Sequence, residues 1–96
     1  MAVSELNEAA EEDLERLYEY GIIYFGLAQA DRYYDGLIEH LYTLAENPYL
    51  EQTVDSIRRG YRRSVYVSDS IYYRINGSTV EIMRILGSQN AKKEFK

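Results

Sequence analysis

One change in the spacing of apolar residues divides this chain and limits the folds it can adopt. Between Ala10 and Ala45, apolar residues recur every three or four positions, which is typical of helices with one buried face. Between Tyr61 and Leu86, Val, Ile and Tyr alternate with polar residues in three short runs, which is typical of strands. The 96 residues suit one domain, predicted to span 1–96. The predicted fold is α+β, with an N-terminal helical hairpin packed on one face of a curved antiparallel β-sheet.

The helical half is bounded by residues that begin or end helices. Asn7 is a predicted N-cap, Gly26 separates two helices, and Asn47-Pro48 ends the second. The predicted buried stripes are Ala10, Leu14, Leu17, Tyr18, Ile22 and Phe25 on the first helix, and Ala30, Tyr33, Tyr34, Leu37, Ile38, Leu41, Leu44 and Ala45 on the second. The short connection between the helices predicts an antiparallel hairpin.

The other half predicts a three-stranded meander at residues 61–67, 69–75 and 79–86. Asn76-Gly77 predicts a type I′ turn between the last two strands, because both residues tolerate positive φ. Ser68-Asp69 predicts the turn between the first two.

Alternation assigns the strand residues to the two faces of the sheet. One face is predicted to carry Ile71, Tyr73 and Ile75, and the other Ser70, Tyr72 and Arg74. In the last strand the predicted faces are Val80 with Ile82, and Met83 with Ile85. A strand that is apolar on both faces is expected at the centre of a sheet. A weaker pattern at residues 2–6 predicts a short N-terminal strand, and the polar residues 88–96 predict a turn or short helix.

Charge is distributed unevenly along the sequence. Up to Ile57, two arginines oppose thirteen carboxylates, a net charge of −11, whereas from Arg58 onward nine Arg and Lys oppose three carboxylates, a net charge of +6. This asymmetry indicates that the two halves face each other or bind different partners. The overall charge of −5 and the pI near 4.8 argue against non-specific nucleic-acid binding, and no sequence-specific nucleic-acid site is predicted.

Four arginines within six positions are the strongest candidate binding feature. The predicted binding residues are Arg58, Arg59, Tyr61, Arg62, Arg63, Tyr72, Arg74 and Arg84. In one interpretation these arginines pair with the acidic helices, and each exposed pair contributes about 0–1 kcal/mol. In the other they form a docking surface for an anionic partner, since the guanidinium fork binds a carboxylate or phosphate at two points. The residues alone leave both interpretations open.

The sequence offers few residues for catalysis. It has no cysteine, no Gly-rich phosphate loop and no metal-binding motif, so no cofactor or metal is expected. His40 is the only histidine and is predicted to be a helix-surface residue or an ordinary interface contact. The carboxylates Glu11, Glu12, Asp13 and Glu15 are predicted to form a solvated face. No catalytic residue is therefore assigned, and the chain is expected not to be an enzyme.

No apolar run approaches the roughly 20 residues of a membrane span. The acidic N-terminus also lacks the layout of a signal peptide. The expected location is the cytoplasm, without a membrane partner.

Several short motifs, taken in order, resemble those of ParE-type toxins of the RelE/ParE superfamily. The first are A-x-x-D-L at Ala10, Asp13 and Leu14, G-x-x-Q-A-x-x-Y at Gly26, Gln29, Ala30 and Tyr33, and LAENP at Leu44 to Pro48. The next are D-x-I-R-x-G-Y-R-R at Asp55 to Arg63, S-x-x-I-Y-Y-R at Ser68 to Arg74, and V-E-I-x-R-I-L at Val80 to Leu86. The resemblance covers nearly the whole chain and implies the same α+β fold.

The resemblance implies a small bacterial toxin of a type II toxin–antitoxin system, held inactive in a hetero-oligomer with its cognate antitoxin. ParE-type toxins are associated with poisoning DNA gyrase. The antitoxin in such pairs typically wraps the toxin with an acidic, partly disordered segment that folds on binding, which would occupy the docking surface formed by the clustered arginines. Exposed apolar positions on the hairpin, such as Ile23, Tyr24 and Leu27, would then receive a helix of the antitoxin.

Two alternatives remain beside a gyrase inhibitor. One is a ribosome-dependent mRNA endonuclease of the RelE branch, and the other is a non-toxic variant that binds an antitoxin. The chain departs from the family pattern at Val67, where many relatives have glycine, and in the tail at residues 87–90, a region associated with toxicity.

Overall fold

A computed structural model of the chain describes residues 3–87. It contains six elements: β1 (Val3–Leu6), α1 (Glu8–Phe25), α2 (Leu27–Glu46), β2 (Arg62–Tyr66), β3 (Asp69–Asn76) and β4 (Thr79–Gly87). The two helices pack against the sheet, which confirms the predicted α+β fold, its element order and the short N-terminal strand. The turn or helix predicted at residues 88–96 lies outside the described residues.

The predicted helix boundaries are confirmed by their capping contacts. The Ala10 N–H donates to the Asn7 side-chain oxygen at 2.9 Å, which satisfies one of the open donors at the start of α1. Gly26, at φ +88°, both ends α1 and precedes α2, a backbone conformation that favours glycine. Asn47 follows α2, and its N–H donates to the Thr43 and Leu44 carbonyls.

The sheet has the strand order β1-β4-β3-β2. The last three strands form the predicted antiparallel meander, and β4 is central, as its two apolar faces predict. β1 runs parallel to β4, with Val3 opposite Thr79, so the sheet is mixed. The order leaves β1 and β2 as the edge strands of the described sheet.

Both hairpin turns lie one residue away from their predicted positions. Tyr66 pairs with Asp69, so Val67 and Ser68 form the first turn instead of the predicted Ser68-Asp69. Asn76 pairs with Thr79, so the second turn is Gly77-Ser78 instead of the predicted type I′ Asn76-Gly77. Gly77 has φ +63° at the first turn position, and within the described residues only Val67 among the non-glycine residues has a positive φ, at +54°. This places the second turn in the type II′ pattern, which has glycine first.

A β-bulge in β4 changes the predicted faces of that strand. Tyr72 pairs with Arg84 while Tyr73 pairs with Ile82, so Met83 is an extra residue. The predicted placement of Met83 and Ile85 on one face is therefore wrong: Ile82 and Ile85 both lie in the core below the helices, and Met83 packs on the opposite side. The predicted faces of β3 are confirmed, with Ile71, Tyr73 and Ile75 in the main core and Tyr72 in a second cluster.

The main core lies between the helices and the sheet, but it does not extend along all of α1. The buried residues of α1 are Ala10, Asp13 and Leu14, all in its first half. Ile22 and Phe25, predicted to be buried, are 36% and 57% exposed because no described element covers the end of the hairpin. Tyr34, predicted in the stripe of α2, is likewise 37% exposed.

Within residues 3–87, neither helix combines the length and apolar character that a membrane crossing requires.

Candidate binding surface

The four clustered arginines lie on the segment that connects α2 to β2 and on the start of β2. The Tyr73 hydroxyl donates to the Pro48 carbonyl at 2.7 Å, which fixes the beginning of this segment. The Val54 N–H donates to the Tyr61 carbonyl at 2.7 Å, and Gly60, at φ +82°, donates to the Asp55 carboxylate at 2.9 Å. These bonds close a compact turn that positions Arg58 and Arg59.

Arg62 and Arg63 lie on opposite faces of β2, as strand alternation predicts. The Arg62 guanidinium donates to the Glu51 carbonyl and lies 5.2 Å from the centre of the Tyr49 ring. The Arg63 Nε donates to the Ser70 hydroxyl at 2.9 Å. Each arginine is oriented by a neutral group, so its positive charge is not cancelled by that contact.

Arg58 and Arg59 are both exposed at the turn. The Arg58 guanidinium lies 5.8 Å from the centre of the Tyr61 ring, within the range of a cation–π contact. In the part of the chain that the structure describes, Arg59, Arg62 and Arg63 form no ion pair with a carboxylate. We call Arg58, Arg59, Arg62 and Arg63 the arginine surface, which comprises the connecting segment and both faces of the edge strand β2.

The other two predicted arginines are paired inside the protein. The Arg74 Nε lies 3.0 Å from a Glu81 carboxylate oxygen across the β3–β4 ladder, in an exposed pair. Arg84 donates to both oxygens of Asp13, at 2.8 and 3.0 Å, from Nε and Nη2. The predicted pairing with the acidic helices therefore describes Arg84, which binds Asp13 of α1, whereas Arg74 pairs within the sheet with Glu81 of β4. The arginine surface is organised differently.

Asp13 is buried, which corrects its predicted place on a solvated face. Its side chain is 1% exposed and also accepts the Ile85 N–H at 2.9 Å and Arg16 at 2.8 Å. Burial alone raises the pKa of Asp13, but the hydrogen bonds from Arg84, Ile85 and Arg16 outweigh it and hold the pKa below its ordinary value. The apolar positions around Asp13 in the helical stripe were the only sequence signal for this burial.

The two predicted tyrosines lie beneath the surface. Tyr61 is 7% exposed and Tyr72 is 1% exposed. They form a second apolar cluster with Leu86, against which Val54 and Ile57 pack. In the free chain these rings support the segment that carries Arg58 and Arg59. The binding role of the eight residues stays a prediction.

His40 has a contact that the sequence did not predict. It is half-buried, its Nε2 lies 2.8 Å from the hydroxyl of buried Ser64, and its ring lies 5.4 Å from that of Tyr66. The Ser64 hydroxyl also donates to a Glu51 carboxylate oxygen at 3.5 Å. His40 thus joins α2 to β2, and this contact crosses 24 positions in sequence.

The far end of the helical hairpin exposes the apolar residues singled out from the sequence. Ile23, Tyr24 and Leu27 are 74%, 65% and 57% exposed. They lie on either side of Gly26. Their positions in the sequence are distant from those of the clustered arginines. The described chain therefore offers one basic and one apolar candidate surface.

The fold of the chain is shared with solved structures. The fold matches that of "Chromosomal ParDE TA system from P. aeruginosa", with a TM-score of 0.78, 20% identity, and coverage of 91% of this chain and 96% of that one. It also matches a chain of the toxin–antitoxin complex RelBE2 from Mycobacterium tuberculosis, with a TM-score of 0.67, 19% identity, and coverage of 90% and 96%. A helical hairpin on a four-stranded sheet is thus a fold of toxin–antitoxin proteins.

The sequence comparisons then give the family. Residues 5–91 match the family described as "ParE toxin of type II toxin-antitoxin system, parDE". Toxin ParE1 of Caulobacter vibrioides is 35% identical over 88 residues, which cover 91% of each chain. Toxin ParE1 of Mycobacterium tuberculosis is 32% identical over 82 residues, which cover 84% of each. The chain belongs to the ParE toxin family of type II toxin–antitoxin systems.

Proposed function

We propose that this chain is a toxin that inhibits DNA gyrase by binding it, and that a cognate antitoxin neutralises the toxin by covering the arginine surface. The proposal puts both events in the cytoplasm, where gyrase acts. It assigns the chain no catalytic step of its own.

The observation that carries the proposal is the charge of Arg59, Arg62 and Arg63. In a protein with a net charge of −5, these three guanidinium groups lie close together along the chain and form no ion pair with a carboxylate of the described residues. Arg62 and Arg63 are also held in place, by the Glu51 carbonyl and the Ser70 hydroxyl. Cationic forks that are already oriented lose less side-chain entropy when they bind a carboxylate. An acidic, extended segment of an antitoxin has the complementary charge.

Action by binding is supported by the use that the fold makes of its ionisable groups. His40 contacts buried Ser64, and Asp13 holds Arg84. Tyr72 is buried, and Arg74 is paired with Glu81. An endonuclease needs an acid and a base that reach the RNA from an open surface. The side chains that serve contacts within the protein instead are those of His40, Asp13, Tyr72 and Arg74.

The test is expression of the chain under tight induction in bacteria. Inhibition of gyrase predicts gyrase-dependent DNA breaks in induced cells, with messages on stalled ribosomes left intact. Co-expression of the cognate antitoxin is the control, and it should abolish the breaks. Cleaved messages with intact DNA would instead identify an endonuclease. Normal growth without DNA breaks, in cells that contain folded protein, would identify a non-toxic antitoxin-binding variant.

A further inference from the structure

A short turn that follows α2 holds two adjacent apolar side chains in solvent. Tyr49 and Leu50 are 70% and 79% exposed, and Leu50 has the largest exposed fraction of the large hydrophobic residues that the structure describes. Both belong to the connecting segment, between the end of α2 and the arginine surface. We call Tyr49 and Leu50 the apolar turn. Exposed apolar residues that lie together mark interaction sites in soluble proteins.

Contacts on both sides of the apolar turn hold it in place. The hydroxyl of buried Tyr73 donates to the Pro48 carbonyl at 2.7 Å, which ties the start of the turn to the core. The Arg62 guanidinium donates to the Glu51 carbonyl, which ties its end to β2. A segment that is already ordered loses little conformational entropy when it binds. The apolar turn is therefore preorganised for a partner.

A guanidinium adds positive charge beside the apolar turn. The Arg62 guanidinium lies 5.2 Å from the centre of the Tyr49 ring, within the range of a cation–π contact. The Glu51 carboxylate accepts the Ser64 hydroxyl, and no carboxylate in residues 3–87 forms an ion pair with Arg62. Tyrosine and arginine are among the residue types that most often dominate binding energy at interfaces. An occupant that combines an apolar surface with an anionic group would complement this site.

The apolar turn is distant from the exposed end of the helical hairpin. Gly26 precedes α2 and Asn47 follows it, so the two apolar surfaces lie at opposite ends of this helix. Its 20 residues span about 30 Å at 1.5 Å per residue. A partner bound at the end of the hairpin therefore leaves the apolar turn accessible. Arg62 belongs both to this site and to the arginine surface.

The aliphatic side chain of Leu50 favours a protein over DNA as the occupant. Its burial requires an apolar pocket, which folded proteins present at their surfaces. Duplex DNA accepts an aliphatic side chain only where base pairs are unstacked, at an energetic cost. The net charge of −5 also opposes contact with DNA. The occupant is thus a folded protein with an apolar pocket and a carboxylate at the rim of the pocket.

We propose that the apolar turn and Arg62 contact gyrase, with Leu50 inserted into such a pocket. The inference rests on the proposed function, since it assigns the surface of this chain that binds the same target. It also gives neutralisation a physical basis. A segment that covers the arginine surface occupies Arg62, so Arg62 is no longer available to the target.

The test uses the purified full chain, purified gyrase and a supercoiled plasmid, with linear DNA measured against toxin concentration. Leu50→Ser should raise the concentration for half-maximal cleavage by about tenfold or more, because the apolar contact is lost. Leu50→Met keeps the apolar volume and should stay within about twofold of wild type. Thermal melts show that each variant is folded. Equal cleavage by wild type and Leu50→Ser would overturn the proposal.

Affinity for the cognate antitoxin, measured by calorimetry, distinguishes the two partners. Leu50→Ser should change that affinity by less than about twofold, because the side chain lies outside the arginine surface. A loss of affinity as large as the loss of cleavage would place the apolar turn in the antitoxin interface and overturn the proposal.

Tyr49→Ser and Tyr42→Ser form a matched pair, since the two rings are 70% and 67% exposed. His40 contacts Ser64 of β2. Helix residues two positions apart point in nearly opposite directions, so Tyr42 faces away from β2. Tyr49→Ser should raise the concentration for half-maximal cleavage by about tenfold and Tyr42→Ser by less than about twofold. Equal effects would overturn the proposal.

Two further measurements test the identity of the occupant. Fluorescently labelled toxin is titrated with gyrase without DNA, where wild type should bind and Leu50→Ser should bind about tenfold more weakly. Binding of wild type only in the presence of DNA would identify DNA as the occupant and overturn the proposal. Sedimentation of the chain alone is the second measurement. A dimer that Leu50→Ser dissociates would identify a second copy as the occupant and likewise overturn it.

Failure of this inference can be distinguished from failure of the proposed function. If the wild-type chain neither binds gyrase nor produces gyrase-dependent cleavage, both are overturned. If wild type is active and the Leu50→Ser and Tyr49→Ser variants are equally active, only the assignment of the apolar turn fails.

Discussion

Asp13 joins α1 to β4 through its buried carboxylate. Its buried carboxylate accepts hydrogen bonds from Arg84, Arg16 and the Ile85 N–H. A lone carboxylate at this depth would be unfavourable, but three donors compensate for the loss of water. A single side chain therefore couples the first helix to the central strand.

We expect Asp13→Asn to lower the free energy of unfolding at pH 7 by about 3 kcal/mol, because Arg84 would keep its charge without its partner. Urea denaturation monitored by circular dichroism measures the change. Glu81→Gln is the control, since the exposed Arg74–Glu81 pair should contribute little. Similar shifts of the urea midpoint in both variants would contradict a special role for Asp13.

The same substitution predicts a pH dependence. The folded-state pKa of Asp13 lies below the unfolded value of 3.8, so its contribution to stability is present above about pH 4 and is lost as pH falls through the folded pKa. The difference in stability between wild type and Asp13→Asn should therefore narrow below about pH 4. A difference that stays constant over that range would show that the carboxylate is not perturbed.

At the scale of elements, helix boundaries could be predicted from sequence but strand register could not. Asn7 and Gly26 determine helix ends through their own capping contacts, which are local. The bulge at Met83 depends on pairing between two strands. The residues that follow it therefore lie on the face opposite to the one that simple alternation predicts. The turn positions differ from the predicted ones for a related reason. Pairing of Tyr66 with Asp69 makes Val67 a turn residue, although valine disfavours the positive φ that it adopts there.

The candidate binding surface could likewise be predicted from the sequence only in part. The arginine cluster is visible in the sequence because its members are adjacent. The partner of Arg84 is not visible in the sequence, because Arg84 and Asp13 are 71 positions apart and no local pattern connects them. Tyrosine is a residue type common at binding surfaces, which favoured Tyr61 and Tyr72 as contacts. Their burial depends on how the connecting segment folds back over the sheet.

The packing of α2 on β2 gives a prediction for a pair of residues. A methyl group added at Gly36 would overlap the Tyr66 hydroxyl, and the Tyr66 ring is held between Tyr33 and His40. Gly36→Ala should therefore destabilise the protein by about 1–2 kcal/mol, although alanine is better in a helix by about 1 kcal/mol. In a Tyr66→Phe background the same change should be nearly neutral. Urea denaturation of the four proteins in a double-mutant cycle measures the coupling, and equal costs in both backgrounds would refute the contact.

At the scale of the whole molecule, the fold keeps the two signs of charge on different elements. The carboxylates lie mainly on α1 and α2, while the arginine surface lies on the connecting segment and β2. Asp13 with Arg84 is the described ion pair that joins the two layers. The remaining charge separation makes a molecular dipole, which accelerates association with a partner of complementary polarity.

Double variants at Arg62 and Arg63 test this dipole, with the cognate antitoxin as partner. Alanine at both positions should slow association and reduce its dependence on salt, because two charges that attract an acidic segment are removed. Lysine at both positions should keep the association rate and its salt dependence but speed dissociation, since an ammonium cannot bind a carboxylate at two points. Surface plasmon resonance between about 50 and 500 mM salt separates the two rates, and thermal melts show whether each variant remains folded after losing the contacts to Glu51 and Ser70. If the folded alanine variant associates as fast as wild type with the same salt dependence, attraction does not act through this surface, and the arginines serve only the fold of the connecting segment.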